Sequence, residues 1–195
     1  MSGVSKAIVQ PLLSWYDAGH RDLPWRSEPA PYRVWVSEIM LQQTRVEAVR
    51  GYFSRWMNAL PDIPALAAAD EAVYTKLWEG IAYSSRVRNL HRAAVLLCEE
   101  YGGELPADYD RLLALPGVGE YTAGAVASIA FGLPVPAVDG NVLRVAARLD
   151  NDFTPITDAK FKKQTRERFA ALMPSDRPGD LNQSLMELGA TVCLP

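Results

Sequence analysis

Apolar residues recur at intervals of three and four along most of the chain, and that period commits it to helices. The stretch VWVSEIMLQQTRVEAVRGYFSRWMNAL, from Val34, shows the pattern with a break near Gln43 and Thr44. The same period marks EAVYTKLWEGI, SSRVRNLHRAAVLLCEEYGG, DYDRLLAL, YTAGAVASIAFG, DGNVLRVAARL, DAKFKKQTRERFAALM and DLNQSLMELGATVC. Asp108 and Thr157 stand where helices start, and Gly102, Gly103 and Gly132 where they stop. Alternating strand patterns are missing, and PVPAV at 134–138 is short and broken by proline. The expectation is an all-α chain of around ten short helices.

Composition excludes several classes. At 195 residues and 49% apolar, the chain is long enough for one large domain or two small ones sharing a core. It contains no run of about 18 apolar residues, so no membrane span is expected. Its first 25 residues make a poor signal peptide and a reasonable first helix. Cys98 and Cys193 cannot build a disulfide framework, which points to a reducing cytoplasm. A net charge of −3 does not announce a nucleic-acid binder, but it leaves room for local basic patches.

The segment LPGVGEYTAGAVASIAF, residues 115–131, places a Gly-Val-Gly turn between a short helix and a long one rich in small residues. Gly117 and Gly119 permit backbone conformations that a side chain penalises. The N–H groups opening the second helix can then face one anion, aided by the helix dipole. A plain turn between two packed helices explains the same residues equally well. VDGNVLRV, shortly downstream, adds an Asp at a helix start with Gly and Asn beside it.

These motifs together resemble the helix–hairpin–helix superfamily of DNA glycosylases. LPWRSEPAPYRVWVSEIMLQQTRVEAV and NQSLMELGATVC narrow the resemblance to MutY-type adenine DNA glycosylases, collinear from about Asp22 to the last residue. The resemblance implies two helical lobes with an active-site cleft between them. One lobe would be a helical barrel over 23–134, including the hairpin; the other would join 1–22 to 135–195. The partner would be double-stranded DNA with adenine opposite 8-oxoguanine or guanine. The protein would act as a monomer at the nucleoid of a bacterial cytoplasm.

The resemblance also assigns residues. Leu115, Gly117, Val118 and Gly119 would form the phosphate-holding hairpin, a contact that positions DNA without reading it. Gln43 and Tyr83 would intrude into the base stack to extrude the adenine; alone, Gln43 could cap its helix and Tyr83 could be core. Arg86, with Arg45, Arg88, Arg92 and Arg144, is a candidate for local positive charge. Glu38, flanked by Val36, Ile39 and Met40, would be the general acid towards adenine N7, with burial raising its pKa. Asp139 would stay ionised and stabilise the oxocarbenium-like sugar, although a plain N-cap also explains it. Asn141 would position that carboxylate or the water. Trp25, Arg26, Leu41, Tyr121, Gln183 and Met186 would line the adenine pocket. Endonuclease III-type relatives carry a nucleophilic Lys two residues after the second Gly. Tyr121 stands there here, so a monofunctional enzyme leaving an abasic site is expected.

The sequence also departs from the family. Its 4Fe–4S cluster needs four cysteines; Cys193 matches the first and the other three are absent, so no cluster is expected and Cys193 is an orphaned ligand. Cys98 reads as a small buried hydrophobe. The 8-oxoguanine-reading domain is also absent from these 195 residues. A Gly-Tyr-Tyr wedge segment is replaced by Ala82-Tyr83-Ser84. Two alternatives stand beside the adenine glycosylase: a catalytically impaired DNA-binding core fragment, and a glycosylase for thymine opposite guanine. Glu38 argues against the second, since thymine has no N7 to protonate.

Overall fold

The computed structural model describes residues 5–81 and 83–195. All the regular structure among them is helical, as the periodicity requires. By internal contacts the chain divides into two units, Asp22–Val126 and Ala127–Pro195 together with the chain up to Arg21.

The Asp22–Val126 unit holds α2 (Pro31–Leu41), α3 (Val46–Ala59), α4 (Ile63–Ala67), α5 (Glu71–Trp78), α6 (Ser84–Tyr101), α7 (Tyr109–Leu113) and most of α8 (Glu120–Ile129). The break near Gln43 separates α2 from α3 as expected. The short α4 was not expected: five residues carry too little periodicity to be read, and Asp62 caps it by accepting from Ala65 N at 2.8 Å. Asp108 caps α7 in the same way, accepting from Arg111 N at 2.9 Å. The core is aromatic. Trp35, Trp56, Trp78 and Phe53 are each less than 2% exposed. The Trp56 indole donates to the Tyr32 hydroxyl, which donates to Leu60 O, both at 2.9 Å. Trp56 and Tyr32 are thereby satisfied inside the core, whereas the indole nitrogens of Trp35 and Trp78 are buried with no hydrogen-bond partner.

The other unit contains α1 (Val9–Gly19), the end of α8, α9 (Gly140–Asp150), α10 (Ala159–Ala170) and α11 (Pro178–Thr191). Val9, Leu12 and Leu13 of α1 join Val142, Val145, Ala146, Phe169, Leu181 and Leu185 in one core. The start of α10 lies one residue later than the sequence indicates. Asp158, not Thr157, is the cap, accepting from Phe161 N at 2.8 Å. Both residue types can cap, and a carboxylate is the stronger acceptor.

The sequence expectation puts 127–134 with the barrel segment, whereas these residues group by contact with α11. A Cβ on Gly179 would lie 2.7 Å from Ile129 Cα, so the two backbones touch there. Asn182, only 1% exposed, donates to Ser128 Oγ at 2.7 Å and Val135 O at 2.9 Å, and accepts from Ala137 N at 3.0 Å. No helix among the described residues is long and apolar enough to cross a membrane.

Candidate active site

Glu38 sits in the middle of α2, a helix buried around most of its circumference. Such a helix carries a charged residue only where something meets it. Glu38 is 5% exposed, and the Tyr121 hydroxyl of α8 donates to its Oε2 at 2.5 Å. The sequence assigns Tyr121 to the base pocket. The structure gives it a contact with the carboxyl itself, 83 residues away along the chain. Beside it, Gln42 at the end of α2 donates to Thr122 Oγ1 at 3.3 Å, a second tie to α8 that the sequence did not signal.

The hairpin is a tight turn in which Val118 N donates to Leu115 O at 3.1 Å. Leu115 and Val118 are buried and anchor it, while Gly117 and Gly119 are exposed. The two glycines have different reasons to be glycine. Gly117 has φ of 76°, and a Cβ there would lie 2.7 Å from Asn89 Cβ. Gly119 is not in left-handed backbone, and a Cβ on it would meet nothing within 4 Å. The expectation that both glycines serve backbone conformation is corrected for Gly119. Its carbonyl accepts from Ala123 N at 2.9 Å, placing it at the cap of α8.

The wedge candidates lie beside α6. Gln43, exposed, has φ of 56°; Tyr83, 66% exposed, has φ of 59°. Tyr83 is therefore not core, and the C-cap of α2 is Gln42 rather than Gln43. Ala82 lies outside the described residues. Such backbone in a non-glycine residue costs on the order of 1–3 kcal/mol and persists only where surrounding contacts enforce it.

In the other unit, Asp139 is the N-cap of α9. Its Oδ1 accepts from Val142 N at 2.8 Å, and its Oδ2 accepts from the Asn141 amide at 2.7 Å. Burial holds its pKa above the ordinary carboxylate value; these hydrogen bonds and Arg144 oppose that rise. Arg144 is not a solvated surface side chain. It donates to Asn141 Oδ1 at 2.9 Å, Gly189 O at 2.6 Å and Cys193 O at 2.8 Å. With its oxygen on Arg144, the Asn141 amide turns its NH2 towards Asp139. Gly189 makes this possible: a Cβ there would lie 2.5 Å from Asn141 Cβ.

A hairpin opening a small-residue helix, an Asp-capped helix after it and a buried Glu on α2 are thus all in place. The sequence profile of the HhH-GPD superfamily base excision DNA repair proteins matches residues 36–173. This chain belongs to that superfamily. It is 47% identical over 193 residues to the adenine DNA glycosylase of Mus musculus, covering 94% of this chain and 38% of that protein. It is 44% identical to the adenine DNA glycosylase of Mycolicibacterium smegmatis, covering 93% of this chain and 62% of that one. The chain therefore spans less than two thirds of either relative. A thermostable thymine-DNA glycosylase structure superposes with a TM-score of 0.85 at 28% identity, covering 97% of this chain and 88% of that one. An endonuclease III–DNA covalent intermediate shares the fold, with a TM-score of 0.80 at 24% identity, over 98% of this chain and 89% of that one.

Of the residues assigned to the base pocket, Trp25 is the least available. It is 5% exposed and packs edge-on against Phe53 at 5.4 Å. Arg26, Leu41 and Gln183 are half-buried, and Met186, also half-buried, packs on the core around α1 and α11. Arg88 pairs with Glu71 at 3.0 Å, and Arg45 and Arg92 are exposed. Cys98 is half-buried rather than buried. Cys193 Sγ accepts from Arg148 at 3.0 Å. The described residues contain no group of three or more potential metal ligands. Two cysteines do not fit a four-thiolate cluster.

Proposed function

We propose that this chain is the core of a monofunctional glycosylase that hydrolyses the N-glycosidic bond of adenine opposite 8-oxoguanine or guanine in double-stranded DNA. The observation that carries this reading is the buried Glu38 carboxyl held by the Tyr121 hydroxyl, in a chain 47% identical to an adenine DNA glycosylase. Proton donation to a base needs a carboxyl that keeps its proton near neutral pH, and removal from water is one way to secure that.

Glu38 protonates N7 of the extruded adenine, making the base a better leaving group. The bond from the sugar C1′ to N9 breaks, and its electron pair leaves with the base. Asp139, oriented by Val142 N–H and the Asn141 amide, stabilises the positive charge left on the sugar. Water then adds to C1′ and gives up one proton to solvent, Glu38 takes a proton back, and an abasic site remains. With Tyr121 where a lyase would need an amine, no Schiff base forms and the strand stays intact. The Gly117–Gly119 hairpin holds a DNA phosphate through backbone N–H groups, and Gln43 and Tyr83 fill the space left by the base. Trp25, Arg26, Leu41, Gln183 and Met186 shape the base site.

We further propose a monomer acting at the nucleoid of a bacterial cytoplasm, in keeping with its two-cysteine composition. These 195 residues are proposed to hold no iron–sulfur cluster, which iron analysis of the purified protein checks.

The deciding experiment is single-turnover base release from duplexes carrying adenine opposite 8-oxoguanine, with and without hot alkali, beside Glu38→Gln. Strand cleavage only after alkali, lost in Glu38→Gln, supports the reading. Tight binding without release from folded protein would make this an impaired core fragment. Release of thymine opposite guanine, but not adenine, would move it to the other alternative, towards the thymine-DNA glycosylase it superposes on.

A further inference from the structure

Among the described residues, three that are not glycine occupy left-handed backbone: Gln43, Tyr83 and Asn151. Asn151 is the C-cap of α9, where asparagine suits that conformation. Gln43 and Tyr83 have no such excuse, and both meet the same side chain. Arg86, in the first turn of α6, donates through Nη1 to Gln42 O and through Nη2 to Gln43 Oε1 at 2.8 Å. Its guanidinium carbon lies 5.4 Å from the Tyr83 ring centroid, and its backbone N donates to Tyr83 O at 3.1 Å. A planar fork can hold a carbonyl and an amide oxygen at once, with an aromatic ring across its face. One helical turn on, Asn89 packs under Gly117, so the start of α6 also supports the hairpin. Gln42, Arg86, Asn89 and Gly117 border one small cavity.

We propose that Arg86 is a positioning residue: it locks Gln43 and Tyr83 into their left-handed geometry before DNA arrives. This assignment rests on the proposed base extrusion for its role in the reaction, but not for its role in the free protein. A strained residue held ready meets the gap left by the base without reordering two loops first. The Arg86 fork is committed to these protein oxygens, which sets this role apart from that of a phosphate ligand.

Arg86→Lys keeps the charge and loses the fork. Amide hydrogen exchange of 42–45 and 83–86 is measured without DNA, alongside single-turnover adenine release at saturating enzyme and the salt dependence of DNA binding. The expected result is exchange at Gln43 and Thr44 faster by about tenfold, release slower by about ten- to a hundredfold, and an unchanged salt slope. Unchanged exchange overturns the proposal. So does a salt slope reduced by about one with release at saturation unchanged, the signature of a phosphate contact. Gln43→Gly, which takes the left-handed geometry freely, completes a double-mutant cycle. Losses that combine less than multiplicatively support action through Gln43, and multiplicative losses overturn it. If wild-type protein releases no base while exchange still rises in Arg86→Lys, the function reading fails and the positioning role in the free protein stands.

Discussion

Asp139 caps α9 and receives the Asn141 amide, yet burial still holds its pKa above the ordinary value of 3.8. The folded state therefore binds this proton more tightly than the unfolded chain does. The associated stability is present below the unfolded value and is lost as pH rises through the folded one. Asp139→Asn removes that loss. Its melting temperature relative to wild type should climb with pH from about 4 upwards, while base release disappears. The new amide facing Asn141 adds a pH-independent offset, so the slope is the diagnostic quantity in a calorimetric pH series. At Glu38 the informative change is Tyr121→Phe. The Tyr121 hydroxyl holds this carboxyl in place through one hydrogen bond. Base release should slow by about tenfold, with DNA affinity little changed. An unchanged rate would show that the hydroxyl does not position the proton donor.

The elements were legible to the extent that they were locally encoded. Asp108 caps α7 where the sequence indicates, and Gly102 ends α6 with φ of 64°. The start of α10 slipped by one residue because Thr157 and Asp158 are both competent caps. Contacts between elements were less legible. Arg21, just past α1, grips Glu187 of α11 with two side-chain bonds, at 2.7 and 2.9 Å, and a backbone N–H at 3.1 Å. Glu187 is 2% exposed, so removing the guanidinium takes two charge-assisted bonds from a buried carboxylate. Arg21→Ala should cost about 3 kcal/mol in urea unfolding. Glu187→Gln, which carries no charge to strand, should cost less. Equal losses would show that packing rather than charge dominates there.

At the scale of the molecule, an acidic chain with a net charge of −3 is proposed to bind a polyanion. Its hairpin offers neutral N–H donors, and Arg86, Arg88 and Arg144 are all engaged with protein groups. Of the five arginines named for local positive charge, that leaves the exposed Arg45 and Arg92 to displace counterions, so the plot of log affinity against log salt should have a shallow slope, of magnitude no more than about 4. A steeper slope would reveal a basic surface beyond these residues.

By itself the sequence determined the helices long enough to show a period, the Asp108 cap and the hairpin turn, and through the family resemblance it named the candidate pair of carboxylates. These depend on period, on cap chemistry and on motif order, all properties of neighbouring residues. Only the tertiary structure decided that, of the two hairpin glycines, Gly117 and not Gly119 needs its glycine for conformation, that Tyr121 meets Glu38, and that Arg86 and Arg144 serve protein oxygens. Those facts arise where residues far apart in the chain come within bonding distance. A buried polar group takes the partner that packing delivers to it, and no local pattern names that partner in advance.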